Sequence, residues 1–358
     1  GREKFLKVAQ AILGRPVAED ALILGISGRY EFKNKGIDVF IDAMGQLNRN
    51  NGLGKEVLAF ILVPAGHAGA NKELLHNLEL PYQAVTSTDL YLTHYLNDSA
   101  NDPVMNRIRA QKLRNSEEDK VKIFFVPSYL NGDDGVFNMP YYDLLVGMDL
   151  TAFPSYYEPW GYTPLESLAF KVPTITTTLA GFGLWVKEHY NMNHPGIEVI
   201  HREDGDASNV ATAIAEWVKN YTQVGETEMQ KDRDNAKDVS RIALWDNLIN
   251  YYKQAYTIAL NQVSERLKDL PANMNESVSY IEKQLTVNNP SWVSVMIHRS
   301  IPEKLIALEE LSKNLWWAWN EGARELFRMI DVDKWRACGH NPIMLLDSIS
   351  LARYKELE

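Results

Sequence analysis

The sequence contains one cysteine, Cys338, among its 358 residues. A single thiol excludes an internal disulfide and is typical of proteins from a reducing compartment. No stretch approaches the roughly 20 consecutive apolar residues that a membrane-spanning helix needs, and no signal peptide is recognisable. We therefore expect a cytoplasmic protein that has no membrane partner.

Positive charge is also scarce. The 37 Lys and Arg residues are outnumbered by 47 Asp and Glu residues, which gives a net charge of −10. Nucleic-acid binders carry a basic surface, so this balance disfavours that class. No Walker loop, nucleophile elbow or metal-ligand spacing is present either. Any anion site must be a local group of cations in an acidic protein, and no metal is expected.

Short apolar runs alternate with amphipathic segments from about residue 20 onwards. This alternation is typical of βαβ units with a parallel sheet buried on both faces. The fold class that it predicts is α/β, a doubly wound Rossmann-like parallel sheet that ends near residue 260. The predicted strands cover residues 21–26, 57–63, 121–126, 150–153, 174–178 and 197–200.

The most informative segment is the run FPSYYEPWGYTPLE at residues 153–166. It places Glu158 on a turn rich in proline, glycine and aromatic residues, and Glu166 at the mouth of a helix. In open α/β sheets, ligands bind at the loops that join strand ends to helix starts. Two carboxylates and several backbone donors in such a loop indicate a ligand rich in hydroxyl groups.

The run SYYEPWGYTPLE resembles the two-glutamate donor motif of retaining GT-B glycosyltransferases, and in particular the glycogen synthases of the animal and fungal kind. Residues 27–36, 93–98 and 177–183 carry the same resemblance in the family's order. It implies transfer of glucose from UDP-glucose, or from ADP-glucose, to the non-reducing end of an α-1,4-glucan. It covers only the C-terminal, donor-binding half of a GT-B fold. The acceptor would bind through the missing N-terminal half, so we expect the chain alone to be inactive.

Arg29 and Lys35 are candidate catalytic residues in a strand-to-helix loop. The resemblance implies that they hold the leaving diphosphate, a task that suits a forked guanidinium and a compact ammonium. It also implies that Glu158 lies beside the donor sugar. Without the motif, Arg29 and Lys35 would be interpreted as solvated surface cations and Glu158 as a turn residue.

Glu166 has two compatible interpretations. Thr163, Pro164 and Glu166 match a capping box, with Thr163 as N-cap and Pro164 at the first helical position. The resemblance implies instead that Glu166 accepts hydrogen bonds from the ribose hydroxyls of the nucleotide.

Further candidate substrate-binding residues surround these carboxylates. The start of the Glu166 helix would contact the donor through main chain as much as side chain, and Gly161 permits close approach. Tyr141 or Tyr142 would stack on the base, as the resemblance implies, although a core tyrosine fits the same pattern. A glycine pair would line the sugar pocket or simply make a turn. The residues are Trp160, Gly161, Tyr162 and Thr163 for the helix start, and Gly181 and Gly183 for the glycine pair.

The tail differs in composition from the rest of the chain. Its run LSKNLWWAWN at residues 311–320 resembles the start of a bacterial α-glucan phosphorylase. The predicted organisation is therefore a donor-binding domain over residues 1–260, a linker over 261–297 and a helical phosphorylase-like fragment over 298–358. The part that would carry a pyridoxal phosphate lysine is absent, so no cofactor is expected. Since the chain begins with Gly1, we interpret it as a piece of a longer polypeptide.

Two other functions fit parts of the sequence. The chain could be a non-catalytic scaffold or glucan-binding module of a synthase–phosphorylase fusion, or a GT-B transferase with another sugar donor. The joint presence of Arg29, Lys35, Glu158 and Glu166 favours an enzyme, because a scaffold has no use for all four. The sequence makes no prediction about oligomeric state.

Overall fold

The computed structural model describes residues 1–50, 52–80, 89–190 and 196–268, the last six through their backbone only. Residues 1–244 form one compact unit. The helix α10 (Trp245–Lys268) belongs to a second unit and is described by itself. The predicted linker, apart from its first residues, and the whole phosphorylase-like fragment lie outside the described residues.

A six-stranded parallel sheet forms the centre of the first unit, with the strand order β5-β2-β1-β6-β7-β8. The prediction of a doubly wound Rossmann-like α/β fold is confirmed, and each predicted strand is present with its ends shifted by at most one residue. The strands are β1 (Leu22–Ser27), β2 (Val57–Leu62), β5 (Val121–Val126), β6 (Leu150–Ala152), β7 (Thr174–Thr177) and β8 (Ile197–Ile200).

Helices cover both faces of the sheet. Successive strand residues point to opposite sides, so each strand contributes apolar side chains to two cores. On β2, Ala59 and Ile61 pack into one core with the helices α2, α4 and α8, whereas Leu58 and Phe60 pack into the other with α1 and α5. The helices of this unit are α1 (Arg2–Leu13), α2 (Ile37–Asn48), α3 (Lys72–Glu79), α4 (Pro103–Ala110), α5 (Tyr141–Leu145), α6 (Tyr162–Ala169), α7 (Gly181–His189), α8 (Ala207–Tyr221) and α9 (Glu226–Arg241).

A second, two-stranded antiparallel sheet was not predicted from the sequence. It pairs β3 (His67–Ala70) with β4 (His94–Leu96). Both strands are short, and of their residues only His94 is buried, so they lack the buried apolar run that marks the main strands. The buried ring of His94 lies within hydrogen-bond distance of the Thr93 hydroxyl and the Asp134 carbonyl, both at 2.8 Å. These contacts give His94 a structural role that the sequence did not reveal, and burial lowers its pKa.

The growth direction of the sheet reverses between β5 and β6. From β1 the chain adds β2 and then β5 on one side, and it then crosses to add β6, β7 and β8 on the other. The carboxyl ends of β1 and β6 therefore form a topological switch point, where doubly wound folds bind their ligands. Arg29 and Lys35 follow β1, and Glu158 follows β6.

Within the described residues, no helix combines the length and the apolar composition that a bilayer crossing requires.

Candidate active site

A cleft of about 550 Å³ opens at the carboxyl ends of β1, β2 and β5. Three of the predicted site residues, Arg29, Tyr141 and Thr163, line it directly. The other lining residues come from the loops that follow the three strands: Ser27, Gly28 and Tyr30 after β1, Leu62 and Pro64 after β2, and Ser128, Tyr129, Leu130 and Asn131 after β5. The cleft lies beside the topological switch point of the sheet.

Arg29 presents its guanidinium to this cleft. Its side chain is 77% exposed and pairs with Glu31 at 2.9 Å. Gly28 precedes it with a φ of +150°, a conformation that glycine adopts far more readily than other residues. Most of the donors of this guanidinium face solvent, so they can turn towards a bound anion.

An ion pair between Lys35 and Glu158 connects the loop after β1 to the loop after β6, across 123 residues of sequence. Both side chains are mostly buried, at 14% and 21% exposure. The two loops also meet through their backbones. The Tyr156 N–H donates to the Asn34 carbonyl at 2.7 Å, and Gly36, with a φ of +68°, leaves no space for a Cβ beside the Pro154 carbonyl. The structure thus brings together one predicted cation and one predicted carboxylate.

The start of α6 corrects the predicted capping box. The helix begins at Tyr162, its N-cap is Gly161 with a φ of +102°, and no side chain caps it. Thr163 is therefore not the N-cap, and Pro164 is the third helical residue instead of the first. The reason is that Gly161 makes the turn into the helix by its own left-handed backbone. The N–H groups of Tyr162 and Thr163 lie in the first turn, which has no intrahelical acceptors.

Glu166 is half-buried on α6 and faces the tyrosines of α5. Burial, then the charge of Glu166 and a hydrogen bond to it raise the pKa of Tyr142. Burial mainly, with the charge of Glu166, raises the pKa of Tyr141 to about 12. The Tyr141 and Ser27 hydroxyl oxygens lie 2.7 Å apart. Tyr141 is thus partly buried: its ring packs against one of the two cores, and it also forms part of the cleft wall with its hydroxyl engaged.

Gly181 and Gly183 begin α7, which packs closely against the Glu158 loop. A Cβ on Gly181 would overlap the Pro159 carbonyl oxygen, and one on Gly183 would overlap that of Thr177. The Gly181 N–H donates to the Glu158 carbonyl at 3.0 Å. Close backbone approach therefore accounts for both glycines and fixes the main chain of Glu158 from the side of α7.

The Trp160 side chain points away from any ligand space. It packs against Phe182 and Trp185, with ring centroids 5.6 and 5.7 Å away, and it belongs to a small apolar core between α6, α7 and α9. Its side chain therefore anchors the loop. The sequence analysis expected Trp160 to contact the donor through main chain as much as side chain, and this packing leaves the main chain for that role.

Tyr129 is a further candidate residue, which the sequence analysis did not name. It follows β5, lines the cleft and is 75% exposed. Large apolar rings are usually packed, so one that is exposed at a cleft is informative. The sequence feature that could have identified Tyr129 is its position, three residues after a buried parallel strand.

A second cavity, of about 430 Å³, lies at the opposite, amino edge of the sheet. Arg2 and Arg233 line it, and both pair with Asp149, at 2.7 and 2.9 Å. They also donate to backbone carbonyls, Arg2 to Ala21 at 2.6 Å and Arg233 to Met148 at 2.7 Å. Because these guanidinium donors are occupied, the cavity is not a second candidate site.

Comparison of this chain with known proteins indicates the same family as its sequence motifs do. The family model described as "Glycogen synthase" matches residues 17–87 and 86–304, well over half of the chain. Glycogen [starch] synthase isoform 2 of Saccharomyces cerevisiae is 28% identical over 307 residues, which cover 68% of this chain and 44% of that protein. Liver glycogen [starch] synthase of Rattus norvegicus is 27% identical over 295 residues, which cover 68% and 42%. The chain thus spans less than half the length of these relatives.

Two further likenesses are weaker. A family model for a protein of unknown function, DUF3417, matches residues 301–358. These residues lie outside the described part, and the phosphorylase resemblance of the tail stays a prediction. Among solved structures, the glycosyltransferase WaaG, involved in lipopolysaccharide biosynthesis, aligns with a TM-score of 0.37 and 16% identity over 66% of this chain and 46% of that chain. A likeness at that level adds nothing to the topology described above.

The family model extends over both loops of the Lys35–Glu158 pair and over the whole of α6. It therefore covers each residue that the sequence analysis assigned to the site. Sheet order and family match agree, and the chain belongs to the glycogen synthase family.

Proposed function

We propose that this chain is the donor-binding half of a retaining glycogen synthase, which transfers glucose from UDP-glucose to the non-reducing end of an α-1,4-glucan. The observation that carries the proposal is the Lys35–Glu158 ion pair at the topological switch point, beside the exposed guanidinium of Arg29. The acceptor would be held by a further GT-B domain outside this chain, as the length of the relatives suggests.

The cations and the start of α6 account for departure of the nucleotide. Breaking the glucosyl bond builds negative charge on the diphosphate, and preorganised donors that meet developing charge are usually the largest catalytic contribution. Arg29 supplies forked donors, Lys35 supplies a compact charge, and the first turn of α6 supplies N–H groups at the positive end of a helix dipole. In this proposal these groups carry the charge without a metal ion.

Glu158 is proposed to act on the sugar. An ionised carboxylate accepts hydrogen bonds from sugar hydroxyls, and it favours the positive charge that develops at the anomeric carbon. Before the donor binds, Lys35 neutralises it. When the diphosphate arrives, the ammonium of Lys35 is shared with it, and Glu158 gains negative character at the position where the sugar becomes cationic.

The nucleoside is proposed to lie along the other wall of the cleft. Glu166 would accept from the ribose hydroxyls, and Tyr141 would contact the base from α5. Tyr129 offers a second, exposed ring across the cleft. Base choice depends on these few contacts, so ADP-glucose is the alternative donor to test.

Calorimetric titration of the chain with UDP, UDP-glucose and ADP-glucose tests the proposal. We expect saturable binding of the uridine nucleotides, and loss of that binding in the double variant Arg29→Ala, Lys35→Ala. A matched control removes two exposed cations at the other edge of the sheet, Arg114→Ala with Lys120→Ala, and should bind as the parent does. If the chain bound ADP-glucose and neither uridine nucleotide, the donor would be ADP-glucose instead of UDP-glucose.

A chain that binds none of the three nucleotides but retains an α-1,4-glucan in affinity electrophoresis would be a glucan-binding module, and the proposal would be wrong. Binding that the double variant keeps would place the nucleotide elsewhere. Either result is distinguishable from misfolding, because the far-ultraviolet circular dichroism and melting temperature of each variant are measured alongside.

A further inference from the structure

Arg202 is a buried arginine just after β8, where the sequence analysis expected no site residue. It is 6% exposed, and its guanidinium donates to the Pro154 carbonyl. Its own backbone is fixed to β7, because its N–H donates to the Thr178 hydroxyl oxygen at 2.9 Å. A guanidinium is costly to bury, so its position against one carbonyl of the active-site loop requires a reason.

The Pro154 carbonyl lies in the segment of residues 154–156, which leads along the chain to Glu158. Three contacts hold the segment from three sides: Arg202 at the Pro154 carbonyl, the Thr177 hydroxyl at the Ser155 carbonyl, at 3.0 Å, and the Tyr156 N–H at the Asn34 carbonyl, at 2.7 Å. Asn34 directly precedes Lys35. The segment therefore sets the separation between the backbones that carry the two members of the ion pair.

The positive charge of Arg202 is opposed by two nearby aspartates, but some polar atoms of these three side chains have no hydrogen-bond partner among the described residues. Burial lowers the pKa of Arg202, and the charges of Asp38 on α2 and Asp206 before α8 oppose this. Its Nε atom and one carboxylate oxygen of each aspartate have no hydrogen-bond partner among the described residues. The Asp38 carboxylate also pairs with Lys33 at 2.6 Å, and the Arg202 guanidinium lies over the Tyr156 ring at 5.5 Å.

Buried charges that leave donors and acceptors unused contribute little to the stability of the fold, since well-packed apolar residues in their place often stabilise a protein equally well. The geometry around Arg202 does suit the holding of a loop. A guanidinium donates in a fixed direction as well as at a fixed distance, and the charges of Asp38 on α2 and Asp206 before α8 favour its charged form.

We propose that Arg202 is a positioning residue for the donor sugar: by holding the Pro154 carbonyl, it sets Glu158 relative to Lys35. The inference rests on the proposed function, because it assigns the sugar to Glu158. It predicts that loss of Arg202 affects recognition of the glucosyl group more than recognition of the nucleotide.

The test compares UDP with UDP-glucose in the variant Arg202→Met, which keeps the length of the side chain and removes its donors. We expect UDP affinity within about twofold of the parent, and a loss of UDP-glucose affinity of about tenfold, the size of one hydrogen bond to a charged group. Arg202→Lys, which keeps the charge and one donor towards Pro154, should recover part of the loss.

Arg233→Met is the matched control. Arg233 also donates to backbone carbonyls and pairs with a buried aspartate, but at the amino edge of the sheet. It should lower the melting temperature without changing the ratio of the two affinities. An Arg202→Met variant that binds both ligands as the parent does, or weakens both equally, would overturn the proposal.

Amide hydrogen exchange provides a readout without ligand, which separates this inference from the proposed function. In Arg202→Met the amides of Tyr156 and Glu158 should exchange about tenfold faster while those of Ile175 and Val199 keep their rates, because local opening costs less than global unfolding. If the parent bound no nucleotide, the proposed function would fail and this pattern would still support the positioning role. Unchanged exchange at Tyr156 and Glu158, or faster exchange throughout the sheet, would contradict it.

Discussion

The two edges of the central sheet use the same residue types for different purposes. At the carboxyl edge, Arg29 is mostly exposed and Lys35 has a single carboxylate partner. At the amino edge, Arg2 and Arg233 share Asp149 and also donate to backbone carbonyls. The difference teaches that a cation's role depends on how many of its donors the fold leaves available.

Chain direction explains this division. In a parallel sheet with helical crossovers, helix starts gather at the carboxyl edge and offer N–H groups, which favour anions. The helix ends and incoming segments gather at the amino edge and offer carbonyl groups. Arginines at the amino edge therefore find backbone carbonyl acceptors, whereas Arg29 at the carboxyl edge stays mostly exposed. The buried Arg202 is the exception at the carboxyl edge, because it finds the Pro154 carbonyl.

Removal of Asp149 should lower the free energy of unfolding more than any other change proposed below, because it removes the ion pairs at the amino edge of the sheet. Asp149→Ala leaves Arg2 and Arg233 without their counter-charge and the Ile23 N–H without its acceptor, and breaking a buried ion pair costs about 3–5 kcal/mol. Urea unfolding measures the free energy change. Asp149→Asn keeps an acceptor and should cost less. A cost for Asp149→Ala under about 1 kcal/mol would show that this edge does not support the fold.

Asp232 on α9 provides the converse case: it is a buried carboxylate near the same edge, and the charge of Lys231 opposes the effect of burial only in part. Burial mainly, with the charge of Glu228, raises its pKa from 3.8 to about 6. The folded state thus keeps a proton that the unfolded state has already released, and stability falls as pH rises through this window.

Asp232→Asn should therefore stabilise the protein at pH 7 by about 2 kcal/mol, which is the roughly 3 kcal/mol of such a shift in pKa reduced for solvent screening. The gain should shrink below pH 6 and vanish below about pH 4, where both states of the parent are protonated. Urea unfolding at a series of pH values measures it. A gain that does not depend on pH would assign the effect to packing instead of charge.

At the carboxyl edge, Glu158→Gln sharpens the comparison because it should strengthen UDP binding. The substitution removes a negative charge beside the diphosphate position and releases Lys35 from its ion pair; about tenfold tighter binding corresponds to roughly 1.4 kcal/mol of relieved competition. Calorimetry with UDP measures the change. The control, Glu31→Gln, releases the exposed Arg29 and should change affinity by less than about twofold, because water already screens that pair. Weaker UDP binding by Glu158→Gln would contradict this model.

Tyr129→Ala should give the smallest effect and leave the fold unchanged. The exposed ring contributes little to the core, but loss of a stacked aromatic ring costs on the order of 1 kcal/mol in base binding, or about fivefold in affinity. Titrations with UDP and with the base-free ligand pyrophosphate separate the two contributions. Tyr95→Ala, at an exposed tyrosine on β4, is the control. Equal losses for UDP and pyrophosphate would exclude a role in stacking.

Particular residues show where sequence reasoning succeeded and where it failed. Continuous apolar runs such as Val57–Leu62 have one physical solution, a strand buried on both faces, so the main sheet was predictable. The β3–β4 pair was not predictable, because its short, mostly unburied strands are stabilised by partners distant in sequence. The capping box at Thr163 failed for a local reason, since the left-handed Gly161 started the helix earlier.

The candidate site divides in the same way. Arg29, Lys35, Glu158 and Glu166 were recognisable from ordered motifs, but their roles stay predictions until nucleotide binding is measured. Arg202 carries no motif, and only its contact with Pro154 indicates that it acts through Glu158. The tail lies outside the described residues, and its phosphorylase resemblance also stays a prediction.

The sequence by itself determined the six strands of the main sheet, the fold class and the family, because apolar periodicity and local motifs are properties of neighbouring residues. Only the tertiary structure decided that Lys35 pairs with Glu158, that Tyr129 faces a cleft and that the arginines of the amino edge are occupied. The physical reason is that charge and exposure depend on contacts across the sheet. Chain order does not encode these contacts locally, and they form only when β1 and β6 become neighbours.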